Sequence, residues 1–143
     1  MKVTLDASVW LAAFSPAERD HADCALLVSL LIERGAELHQ PGLFVIEVCA
    51  AIARRTRNRT LAIEAGRISL DMPGLVVHAL THELAAKAAE IAADCALRGA
   101  DAVYVATAQD MNATLVTLDR ELLERAAHVV KVRTPEAWAE ESE

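Results

Sequence analysis

Residues 114–119, TLVTLD, run as a short apolar β-type segment that closes on an acid, and a helix-forming stretch from Arg120 to Ala127 follows at once. Residues 2–6, KVTLD, repeat the arrangement at the other end of the chain, ahead of a helical segment from Ser8 to Phe14 that Pro16 ends. Between them the same alternation continues. Asp20 can cap a helix to about Arg34 with Gly35 at its C′ position, and Glu37 to Gln40 offer a strand before the Pro41-Gly42 turn. Leu43 to Thr56 is helical and apolar on nearly every face, and a more polar helix follows from Arg59 to Leu70. Pro73-Gly74 breaks the chain before a strand from Leu75 to Leu80. Thr81 caps an Ala-rich helix from His82 to Leu97, which Gly99 closes. Ala100 to Met111 reads as a helix, His128 to Val132 as the last strand, and Pro135 opens a short helix containing Trp138. Strands alternating with helices predict an α/β fold, a three-layer α/β/α sandwich with a mostly parallel central sheet of about five strands. The whole chain, 1–143, reads as one domain, with only Glu140 to Glu143 free to fray.

The composition narrows the function classes. Hydrophobic residues make up 54% of the chain and aromatics only 3%, which favours closely packed helices over an aromatic platform for stacked bases. Cys24, Cys49 and Cys95 lack CxxC spacing and sit in apolar helical runs, as small buried hydrophobes do. No apolar stretch is long enough to span a membrane and no leader pattern opens the chain, so a cytoplasmic protein without membrane contact is expected. The net charge of −7 argues against a broad electrostatic grip on nucleic acid, yet a cluster of metal-binding carboxylates would itself supply several of those charges.

Four acids interrupt apolar stretches: Asp6, Glu47 within GLFVIEVCAAIA, Asp101 ahead of AVYVATA, and Asp119. A carboxylate in such a place is costly unless a cation or donor meets it. In parallel sheets the functional crevice lies beyond the carboxyl ends of the strands, where Asp6 and Asp119 fall. Glu47, two turns into its helix, and Asp101, at the start of another, can reach that rim from the side. Two like charges about 4 Å apart repel by roughly 4 kcal/mol at an effective dielectric near 20, so convergence demands a cation or raised pKa values. All-oxygen donors suit Mg²⁺ or Mn²⁺ and suit zinc poorly, and such ions complete their shell with phosphate oxygens, which points to phosphodiester chemistry. The competing reading is structural: Asp6, Asp119 and Asp101 as helix caps. Glu47, among Phe44, Val45, Ile46, Val48 and Cys49, has no such role open to it and must protonate, pair or coordinate.

These segments resemble the PIN-domain ribonucleases, especially the VapC-type toxins of bacterial and archaeal toxin–antitoxin pairs. LDASVW is similar to the family's opening strand and first acid, PGLFVIEVCAAIARR to its acid-bearing helix, LRGADAVYVATA to its third-acid segment, and ATLVTLDREL to its last strand and acid. The similarity covers almost the whole chain. It implies cleavage of single-stranded RNA with Mg²⁺ or Mn²⁺ held by Asp6, Glu47, Asp101 and Asp119, and an antitoxin that silences the enzyme by inserting a basic side chain among the acids. It also implies that Ser8 and Thr117 steady the acids through their hydroxyls. Many family members carry a further acid soon after the last one; here Arg120 and Glu121 stand there, which leaves a fifth ligand open.

Arg54, Arg55, Arg57 and Arg59, with Arg98, offer positive charge for RNA phosphates, or equally a solvated helix end. His78 and His82 straddle a strand-to-helix boundary, which argues against a shared metal face, and His21, His39 and His128 carry no signal. The stretches Val28 to Ile32 and Leu61 to Ile68 hold enough apolar surface for a homodimer or an antitoxin, or belong to the core. Two other functions fit less well. A phospho-accepting receiver domain needs an acceptor Asp on a central strand and a partner Lys, whereas VVHAL has no Asp and Lys131 lies within KVRTP. A PIN-like module that binds RNA or protein without cutting would be favoured if one of the acids pointed away from the others.

Overall fold

The computed structural model describes residues 1–141. It contains strands β1 (Lys2–Leu5), β2 (Glu37–Pro41), β3 (Leu75–His78), β4 (Thr114–Val116) and β5 (Val132–Arg133). The helices are α1 (Ala7–Phe14), α2 (His21–Glu33), α3 (Phe44–Thr56), α4 (Arg59–Leu70), α5 (His82–Cys95), α6 (Gly99–Met111), α7 (Arg120–Arg125) and α8 (Pro135–Glu141). The strands form one sheet in the order β3-β2-β1-β4-β5, every pairing parallel, with helices packed against it. The α/β fold with its five-stranded sheet is therefore the one expected, and fully rather than mostly parallel.

Strand order decides where function can sit. The chain moves outward from β1 to β2 and β3, then returns to the other side of β1 with β4 and β5. The order reverses between β1 and β4, and ligand sites in open parallel sheets lie at such a reversal, beyond the carboxyl ends of the strands. Asp6 directly follows β1, and its backbone N–H donates to the Val116 carbonyl at the end of β4 (3.0 Å). The receiver-domain alternative requires the order 2-1-3-4-5, so this topology excludes it.

β1 and β4 run through the middle of the core: Val3, Leu5, Leu115 and Val116 are fully buried, as are Trp10 and Phe44, whose rings meet at 5.7 Å between centroids. α6 is buried along most of its length, because Ala102, Val103, Tyr104, Val105, Ala106 and Ala108 fill the space over the sheet. The cysteines are free thiols, and burial pushes the Cys24 thiol up to about 12. Among the described residues no helix is long and apolar enough to cross a membrane.

Several local expectations need correction. Asp20 makes no side-chain cap, whereas Thr81 does, accepting from the Leu84 N–H. α5 ends at Cys95 with Ala96 left-handed (φ 53°), so Gly99 opens α6 instead of closing α5. β3 and β4 stop at His78 and Val116, and His128 to Val130 form a turn on the Ala126 carbonyl, which delays the last strand to Val132. Glu140 and Glu141 are not frayed: Glu141 ends α8 and pairs with Lys131 and Arg133, while 142–143 lie outside the described residues. In α2, Leu27 and Leu31 are core, and only Leu26 and Ile32 remain exposed beside them. On α4, Leu61, Ile63, Ile68 and Leu70 do present an apolar face to solvent.

Candidate active site

Four elements deliver the four acids to one cavity of about 370 Å³, lined by Asp6, Ser8, Glu47, Arg54, Arg98, Asp101 and Asp119 among others. Asp6 lies at the end of β1, Glu47 in the first turn of α3, Asp101 in the first turn of α6, and Asp119 at the start of α7. Glu47 thus lies in the first turn of its helix and not two turns in, since α3 begins at Phe44, one residue after the expected start at Leu43.

The capping alternative separates the acids. Asp6 stands at the N-cap of α1 yet makes no side-chain cap bond, and Asp101 lies inside α6, whose N-cap residue is Arg98. Only Asp119 caps, accepting from the Glu121 N–H at 2.8 Å. Asp6 is held differently. Its Oδ2 accepts from the Ser8 hydroxyl at 2.7 Å and from the Thr117 hydroxyl at 2.9 Å, and Thr117 Oγ1 accepts in turn from the Asp119 N–H at 3.0 Å. Ser8 Oγ also accepts from the Leu118 N–H. Ser8 and Thr117 therefore tie the ends of β1 and β4 together through the Asp6 carboxylate.

One positioning residue escaped the sequence reading. Gln40, fully buried on β2, accepts from the Leu5 N–H with its Oε1 (2.7 Å) and donates from Nε2 to the Leu5 carbonyl (2.8 Å). Its side-chain amide thus takes the place of a backbone partner in the last residue of β1, directly before Asp6. A polar residue in a central strand is costly unless so paired, and that cost was the available signal.

Glu47 and Asp101 carry the electrostatic strain. The Glu47 carboxyl is raised above its ordinary range chiefly by burial, and further by Asp6 and Asp101, against a lowering influence from Tyr104 and Arg98. Asp101 is raised for the same first reason and by Asp6 and Asp119, while its Arg98 hydrogen bond pulls the other way. Glu47 Oε1 is buried and makes no well-formed hydrogen bond. The buried Tyr104 hydroxyl faces this carboxylate closely enough to influence it, and is itself pushed up by burial and by Glu47, but it too lacks a hydrogen bond of normal geometry. An acid-only donor set with an orphaned buried oxygen fits a hard divalent cation. Among the described residues no three His, Cys, Asp or Glu side chains are already drawn into a metal cage, so an ion bound here would have to draw its ligands together.

A pH prediction follows from the sign of these shifts. As pH falls, an acid with a raised folded-state pKa takes up its proton in the folded chain before the unfolded chain does, so acidification favours folding. In EDTA, between neutrality and the ordinary Glu value of 4.5, the unfolding free energy of the wild type gains on that of Glu47→Gln. Urea titrations across this range check it; parallel curves would show that Glu47 ionises normally.

The arginines divide. Arg54 lines the acidic cavity, and Arg98 bonds to Asp101 and pairs with Asp119. Arg55 instead makes a two-point pair with Glu18. Arg57 is the left-handed C-cap of α3 (φ 55°), and that turn directs Arg57 and Arg59 to a separate apolar groove with Cys49, Ala53 and Ile63. His78 and His82 do not form a pair; His78 Nε2 lies 2.9 Å from Nδ1 of buried His39, whose Nε2 reaches Glu37 Oε2 at 2.9 Å. Strand pairing between β2 and β3 creates this cluster, away from the acids.

The fold and its acidic crevice define a class. The chain belongs to the PIN domain family, whose model matches residues 3–129. Among solved structures it is similar to the sarcin-ricin loop cleaving toxin VapC20 of Mycobacterium tuberculosis, with 21% identity, a TM-score of 0.75 and coverage of 92% of this chain and 98% of that one. It is also similar to a chain of VapBC2 from Rickettsia felis bound to a DNA fragment from their promoter (13% identity, TM-score 0.72, coverage 94% and 98%). A third likeness is to FitAcB from Neisseria gonorrhoeae (18% identity, TM-score 0.68, coverage 94% and 98%). No curated protein matches the chain by sequence.

Proposed function

We propose that this single-domain, cytoplasmic protein is a Mg²⁺- or Mn²⁺-dependent endoribonuclease that cuts single-stranded or loop RNA, acting as the toxin of a type II toxin–antitoxin pair. The observation that carries the reading is the gathering of Asp6, Glu47, Asp101 and Asp119 from four elements into one crevice at the reversal of strand order, with a buried Glu47 oxygen left without a well-formed hydrogen bond. These four acids would hold the ion. When bound, the ion supplies Lewis acidity to the phosphodiester and to the attacking water.

The chain's own groups do the positioning. Ser8 and Thr117 fix the Asp6 carboxylate, and Gln40 fixes the strand end that bears it. Arg54 lines the cavity and would meet an RNA phosphate beside the cleaved linkage. The named structures of VapBC2 and FitAcB support a protein partner for this chain too, an antitoxin. The exposed apolar face of α4 supports self-association as a homodimer or higher oligomer.

The test is cleavage of a labelled single-stranded RNA pool with Mg²⁺, Mn²⁺ or EDTA, using wild type and Asp101→Asn. Cutting that requires metal and disappears in the variant is expected, and the products give the sequence preference. Folded, inhibitor-free protein that cuts under no metal would turn the reading to a PIN-like module that binds RNA or protein without cleaving it.

A further inference from the structure

Among the described residues, Arg98 is the only side chain that ion-pairs with two of the four acids: its Nε donates to Asp101 Oδ2 at 3.1 Å, and its Nη2 lies 3.6 Å from Asp119 Oδ2. Asp101 reaches it from the first turn of α6 and Asp119 from the start of α7, so the guanidinium bridges the starts of two helices. Exposure is graded across the contact. The Arg98 side chain is 76% exposed, those of Asp119 and Asp101 26% and 10%. The cation therefore lies across the mouth of the crevice with the more buried carboxylates beneath it, held by these two charged contacts.

A planar guanidinium satisfies two carboxylate oxygens at once, but it makes no ion pair with Asp6 or Glu47, and Glu47 Oε1 stays without a well-formed hydrogen bond. A divalent ion drawing in Asp101 and Asp119 needs the same oxygen faces. We propose that Arg98 is a positioning residue, the crevice's resident counter-cation, which holds Asp101 and Asp119 in the metal-free protein and gives them up when a divalent ion enters. The ion-exchange part rests on the reading of the four acids as a metal site. The counter-cation part rests on the contacts alone. Exposed pairs of this kind are weak, so the exchange is easy, and the freed guanidinium stands at the crevice mouth where substrate phosphate arrives.

The experiment is Mn²⁺ titration by calorimetry of wild type, Arg98→Gln and Arg54→Gln, combined with urea unfolding in EDTA of wild type, Arg98→Gln, Asp119→Asn and the double variant. Arg54 lines the same cavity, so its variant measures the general effect of removing one positive charge. Arg98→Gln is expected to tighten Mn²⁺ binding by about two- to tenfold, more than Arg54→Gln does. In EDTA, Arg98→Gln is expected to lower the midpoint of unfolding in the wild-type background and to lower it less when Asp119 is already asparagine. Equal tightening by both variants, or weaker binding in Arg98→Gln, would overturn the exchange. An Arg98 effect in EDTA that is indifferent to Asp119 would overturn the counter-cation role. If no variant binds Mn²⁺ while the EDTA coupling persists, the metal reading fails and the counter-cation stands.

Discussion

Asp6→Asn is expected to abolish the proposed RNA cleavage, by more than about 100-fold, in a chain that still folds and resists urea better than wild type in EDTA. The magnitude follows from position. Losing a group that merely orients a metal ligand costs about 10–100-fold in affinity or activity, and Asp6 is proposed as a ligand in direct contact. The preserved fold follows from the hydrogen bonds: an asparagine carbonyl oxygen can still accept from the Ser8 and Thr117 hydroxyls that Asp6 Oδ2 accepts from now. The gain in stability follows from charge, because the Asp6 carboxylate contributes to raising both Glu47 and Asp101. Its removal relieves two strained acids at once. Cleavage assays with Mn²⁺ and urea titrations in EDTA measure both halves. A variant that fails to fold would make Asp6 a structural residue, and one that still cuts would remove it from the site.

The two strand–acid–helix segments were legible because everything they need is local. A strand end, an acid and a helix start sit within a few residues of each other, and parallel topology then places Asp6 and Asp119 on one rim. What local sequence does not contain is the lateral order of the strands. The reversal between β1 and β4 depends on which hydrophobic faces pack together over distances of a hundred residues, as in the Thr117 to Asp6 bond. The same limit hid Gln40, whose meaning lies in its bonds to Leu5, and the His39–His78 contact, which exists only because β2 pairs with β3. Tyr104 was hidden otherwise: within AVYVATA it reads as one more core residue of α6, and only the packing of α6 reveals that its hydroxyl faces Glu47. The arginine cluster is split for a backbone reason. Four arginines within a few positions read as one patch, but the left-handed turn at Arg57 sends its second half to another face, and Glu18 engages Arg55.

Gly74→Ala is expected to be the most damaging single-methyl change in the chain, costing about 2–5 kcal/mol. Gly74 sits in the turn into β3 with φ +78°, a left-handed conformation that costs an L residue roughly 1–2 kcal/mol. An added Cβ would also fall well inside contact distance of the Ala36 carbonyl oxygen, which is backbone and has no rotamer to yield. Overpacking of that kind adds about 1–3 kcal/mol. The strain falls where the sheet is assembled, because the Gly74 carbonyl accepts from the Leu38 N–H at 2.9 Å, the bond that starts the pairing of β2 with β3. Gly35 supplies the control: its φ is +62°, but a Cβ there meets nothing within 4 Å. Gly35→Ala should therefore show the conformational cost alone, about 1–2 kcal/mol. Since a domain of this kind is stable by only about 5–15 kcal/mol, Gly74→Ala can remove a large share of the total, and urea denaturation of the two variants reads the difference directly. Equal losses would mean that the turn shifts to accommodate the methyl group, and that the close approach of Gly74 to Ala36 does not help set the register of the edge strand.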